Sequence, residues 1–169
     1  ALIGDRQFKP ALDELRHVQS SRSMSASELD ELSQQVYTGL SQEYSNEKEL
    51  MVQLADQMNS QEKGNPGALA PVADGLLKVG QVDKARQLLE AALENSLDQR
   101  LLAAYQRVAS VQSQSALPFV EKLLSSHPDN AVLVVIAAEV CEREQLWGKA
   151  IARFEKVYRS EPTAATASR

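Results

Sequence analysis

The chain has 169 residues, 43 % of them apolar, which is enough for one domain core or one stretch of a repeat array. Aromatics at 5 % and seven glycines suit an all-α protein better than a β-sandwich, and a net charge of −5 argues against nucleic acid, which needs a basic stripe. A single cysteine, Cys141, cannot close an internal disulfide, no apolar run approaches the roughly 20 residues that span a bilayer, and no signal-peptide pattern is evident, so the chain reads as soluble by itself.

Residues 1–20 read as one helix, with Phe8, Ala11, Leu12, Leu15 and Val18 on a shared face and a turn at Gly4–Asp5 before it. It has the look of the second helix of a truncated repeat, so a longer array is expected. The polar linker 21–25 follows. Ser25 or Ser27 can cap the next helix, with Glu28 or Asp30 completing a capping box. That helix runs to about Tyr44, with Leu29, Leu32, Val36, Tyr37 and Leu40 inward; Gly39 inside it costs about 1 kcal/mol against Ala. Asn46, with Glu49 three residues on, is expected to cap another helix striped by Leu50, Met51, Leu54, Ala55 and Met58. These two helices, 25–62, are expected to pair with each other. KGNPG, 63–67, breaks the pattern and reads as a loop between stacked hairpins.

Three helix pairs are expected after it, at 66–97, 98–128 and 129–162, and TAATASR, 163–169, would begin a further helix. In the last pair Trp147, Ala150, Ile151, Phe154, Val157 and Tyr158 form one helical face, expected to pack inward. Pro128 and Pro162 are 34 residues apart, as are Ala116 and Ala150. Ala85 and Ala116 are only 31 apart, so about three residues are missing near Ser110–Ser115. With Pro162 as position 32, the small residues Ala138 and Ala150 take positions 8 and 20, and Phe154 takes 24. This pattern resembles the tetratricopeptide repeat. The resemblance implies an all-α fold, a right-handed superhelix of stacked antiparallel helix pairs, whose concave face is lined by the first helices and binds proteins or peptides.

Residues able to carry chemistry are few. His17 lies on a helix beside Arg16, and His127 in a Ser-His-Pro turn; neither has a Cys or second His at metal-ligand spacing. Cys141 falls at a helix-packing position, with Arg143 near in sequence but on another face, so a buried structural thiol is expected. Gly64 and Gly67 flank Asn65-Pro66 with no GK[ST] after them, so no phosphate loop is present. Carboxylates such as Asp13–Glu14 and Glu142–Glu144 read as solvated charges. No catalytic, cofactor-binding or metal-binding residue is expected, and the chain reads as no enzyme.

The repeat resemblance places its groove at positions 2, 5, 9, 12 and 13. These are Val132, Val135, Glu139, Glu142 and Arg143 in the last repeat, and Gly67, Ala70, Asp74, Leu77 and Lys78 in the repeat from Pro66. In the middle repeat Arg100, Ala104 and Arg107 are candidates. The partner-binding residues expected are therefore Asp74, Lys78, Arg100, Arg107, Val135, Glu139, Glu142 and Arg143. The family's clamp for a peptide carboxylate uses Lys at position 5 and Asn at 9; Val135 and Glu139, or Ala70 and Asp74, do not supply it.

Two stretches go further. EREQLWGKAIARFE, 142–155, resembles the turn and helix NQLWGKAR of the bacterial HemY proteins, and LDQRLLAAYQRV, 97–108, is similar to their DERLVRLYGRL segment. A middle repeat with a shortened first helix is also typical of that family. The resemblance covers 66–169 well and 2–60 loosely. It implies a scaffold for late haem-biosynthesis enzymes at the bacterial inner membrane, anchored by N-terminal transmembrane helices that this chain lacks, with the repeat domain on the cytoplasmic side. Two other readings stay open: a haem or porphyrin carrier using His17, His127 or Cys141, and a repeat adaptor in envelope assembly.

Overall fold

A computed structural model describes residues 8–160 of the chain, with the side chains of 10–156 and of Arg159. The described residues form ten α-helices and no strand. The turn at Gly4–Asp5, Pro162, the segment 163–169 and the side chains of Phe8, Val157 and Tyr158 lie outside the described residues. The chain divides into two compact units, Ala1–Ala104 and Tyr105–Arg169, each with its own core.

In the first unit, α1 (Phe8–Ser21) packs on α2 (Ala26–Glu43). Ser25 caps α2: its hydroxyl accepts from Glu28 N–H at 3.3 Å while its own N–H donates to Glu28 Oε2 at 2.9 Å. These bonds favour the ionised carboxyl and hold Glu28 below the usual carboxylate range. With Glu28 closing the box, Asp30 is left for another partner. The helix α3 (Lys48–Gln57) starts after Glu47 with no side-chain cap, so Asn46 does not play the expected role. A four-residue helix α4 (Ser60–Lys63), unexpected from the sequence, has the cap instead: Asn59 and Glu62 form a second capping box.

The helix α5 (Pro66–Lys78) begins with Asn65 as cap and Pro66 as first residue, where a missing N–H costs nothing. It, rather than α3, is the main partner of α2, and α3 lies against α5 too. Two glycines explain this. A side chain at Gly67 would meet Asp30 Oδ1 at 2.8 Å and Asp30 O at 2.9 Å; one at Gly75 would meet Met51 Cε at 2.6 Å and Ser41 Cβ at 3.3 Å. Removing both side chains lets α2 and α3 close on α5. Contacts pairing Asp30 with Gly67 and Ser41 with Gly75 advance together along both helices, so α2 and α5 run parallel. KGNPG is thus an internal junction of this unit. The helix α6 (Val82–Leu93) returns against α5 with Ala85, Leu89, Ala92 and Leu93 buried.

The unit boundary falls inside α7 (Gln99–Val111). In the second unit α8 (Ser113–Ser126) packs on α9 (Ala131–Arg143), and α9 on α10 (Trp147–Ser160). Tyr105 of α7 meets Phe119 of α8 with ring centroids 5.5 Å apart at 58°, a tilted pair. The missing residues of the middle pair come out of its turn, not its helix. Helices α5, α7 and α9 all have 13 residues, but only Gln112 separates α7 from α8.

Candidate functional site

The eight expected partner-binding residues divide between the units. Asp74, Lys78 and Arg100 lie in the first; Arg107, Val135, Glu139, Glu142 and Arg143 lie in the second. In the first, Asp74 is half-buried on α5 and Lys78 is exposed in its last turn. Gly67 and Ala70, read as groove positions, are buried; Gly67 is pressed against Asp30 rather than open to a ligand. Arg100, in the first turn of α7, is already engaged. Its Nη1 donates to Asp30 Oδ2 at 2.7 Å and its Nε to Asp98 Oδ1 at 3.2 Å. Those carboxylates raise the Arg100 pKa further, hydrogen bonds from Asp98 first. Burial works to raise Asp98, but Arg100 outweighs it and holds the carboxyl low.

In the second unit Gln106 of α7 donates to Glu139 of α9 at 2.8 Å, so these two first helices lie side by side. Val135 is half-buried beside them, whereas Arg107, Glu142 and Arg143 are exposed. The charged rim open to a partner is therefore Glu142 and Arg143, with Lys78 in the other unit. Asp30 and Gln106 were missed. Each sits one helix away from the residue it binds, a relation that spacing along the chain does not carry.

Two buried polar clusters complete the picture. Glu62, fully buried, accepts from Arg16 Nε at 2.7 Å, from Arg16 Nη2 at 3.0 Å and from Asn59 N–H at 2.9 Å. Burial alone would raise its pKa; the guanidinium and the N–H win and hold it below the usual range. Tyr37 is buried beside the pair. Its hydroxyl makes no hydrogen bond of good geometry, and burial, then the Glu62 charge, push its pKa up. The second cluster is Cys141, fully buried, which accepts from Arg153 Nη1 at 2.7 Å, while Arg153 Nη2 bonds Glu121 at 3.2 Å. The cation beside the thiol is thus Arg153 of α10, not Arg143.

His17 and His127 are exposed, and His127 Nδ1 is 3.3 Å from the Leu123 carbonyl of its own helix. Among the described residues no three His, Cys, Asp or Glu side chains are grouped to hold a metal, and no helix is long and apolar enough to cross a membrane. No family model matches the chain, and neither a curated protein nor a solved structure matches it significantly.

Proposed function

We propose that this chain is a non-catalytic scaffold for protein–protein contacts, built as a tetratricopeptide-like superhelix and working through the outer surface of its first helices. The observation that carries the reading is the parallel packing of α2 on α5, with α6 returning antiparallel on α5. Successive first helices laid side by side produce one continuous surface, and such arrays use that surface for partners. The pairs α5–α6, α7–α8 and α9–α10 begin 33 and 32 residues apart, close to the repeat period. The resemblance of 142–155 and 97–108 to HemY proteins extends the reading to organising late haem-biosynthesis enzymes at the bacterial inner membrane.

The haem-carrier reading gains nothing from the geometry. Cys141 is sealed between α9 and α10 against Arg153, so reaching iron would require opening that pair. An affinity pull-down from bacterial lysate tests the proposal, with Glu142→Lys/Arg143→Glu as control. Both residues are exposed, whereas Glu139 holds Gln106 and would confound the result. Recovery of ferrochelatase or another late haem-synthesis enzyme, lost with the control, is expected. Recovery of the same proteins by both forms, or of haem alone, overturns it.

A further inference from the structure

The helix α10 leaves its apolar face uncovered. Trp147 is 56 % exposed, Ile151 58 % and Phe154 41 %, while Ala150 on the adjoining side is buried at 3 %. Spacings of four and three residues put all three large side chains on one stripe. Exposed large hydrophobics elsewhere among the described residues are scattered, and a clustered stripe marks an interaction site.

The second unit itself shows what covers such a stripe. Ser113, Leu117 and Val120 of α8 precede Trp147, Ile151 and Phe154 by 34 residues each. On α8 these positions are closed: Val120 is fully buried, Ser113 and Leu117 half-buried. Ser113, at the start of α8, donates to Glu144, the residue that ends α9, so α9 lies antiparallel along this side of α8. The same side of α10 has no such helix on it among the described residues.

We propose that the Trp147–Ile151–Phe154 face is a docking surface for one amphipathic helix of small and aliphatic residues, laid antiparallel on α10 as α9 lies on α8. The stripe offers roughly 300–400 Å² of exposed apolar surface. That suits one helix, and is well below the ~800 Å² per partner of a standing dimer. An anionic lipid surface fits less well. Glu155 borders the stripe, while Lys149 and Lys156 point elsewhere, to Glu121 and Asp129 at 3.4 Å. The surface is separate from the first-helix surface and does not rest on the scaffold reading.

Trp147 is the only tryptophan, so its fluorescence reports on this face directly. The probe is a synthetic peptide of residues 129–144, the α9 segment, with Cys141→Ser. Added to the intact chain, it should shift Trp147 emission to the blue saturably. Ile151→Asp should weaken that binding about tenfold or more at unchanged helicity. A second variant, Ala152→Asp, changes an exposed position off the stripe and should bind as the parent does. Four results overturn the proposal: no shift, an equal shift with a scrambled peptide, a shift that grows with protein concentration alone (a second copy), or a shift only with phosphatidylserine vesicles (a lipid surface).

Discussion

Glu62 is the residue on which the first unit's polar order depends. Its two carboxylate oxygens serve Arg16 from α1 and close the cap on α4, and neither job was visible in the sequence, where 61–64 reads as a polar break. Glu62→Gln keeps the shape but leaves the Arg16 guanidinium, one-third exposed, without its charge partner. Allowing for that exposure, the loss should be about 2–3 kcal/mol, read from urea unfolding. The pH dependence follows. Glu62 titrates lower folded than unfolded, so its contribution is complete above the ordinary Glu value of ~4.3 and is lost as pH falls through the lower folded value. The parent chain should lose stability over that acid limb, and the Gln variant should lose less. Identical acid limbs would mean that the pair contributes nothing.

Helix turns show how a repeat is written and where it departs from its pattern. The α5–α6 turn places Gly80 at φ +78°, with Gln81 N–H bonding Leu76 O at 2.8 Å; the α9–α10 turn places Gln145 at φ +58°, with Leu146 N–H bonding Cys141 O at 2.8 Å. These are the same left-handed closure, comfortable for glycine and strained for glutamine. Gln145→Gly should therefore raise stability by roughly 0.5–1 kcal/mol, a direction opposite to that of glycine in a helix interior. A loss on denaturant titration would show that Gln145 makes a contact that matters more than its backbone strain. Helix positions were legible because caps and 3.6-residue periodicity are local: Ser25 with Glu28, and Asn65 before Pro66, mark their starts plainly. The α10 face was not. Periodicity identifies which side of a helix is apolar, and Trp147, Ile151 and Phe154 do share a side, but it cannot say whether a neighbour is present to cover it. The α2–α3 pairing failed for a related reason, since the glycines that admit α5 to α2 lie 25 or more residues further on.

For the molecule as a whole, the case for a scaffold rests on what its polar groups are already doing. Arg100 holds Asp30 and Asp98, Glu139 holds Gln106, and Arg153 holds Glu121 and Cys141, so the buried and half-buried charges tie helices together. Open charge remains on the first-helix rim at Lys78, Glu142 and Arg143. Repeat-consensus spacing found those rim positions, but it could not separate them from Arg100, whose partner lies 70 residues away. The most direct measurement is a calorimetric titration of the purified chain against purified ferrochelatase, with Glu142→Lys/Arg143→Glu in parallel. A saturable complex weakened about tenfold or more by the double reversal is the predicted result. No heat of binding, or equal affinity for both forms, would contradict a first-helix scaffold for haem-synthesis enzymes.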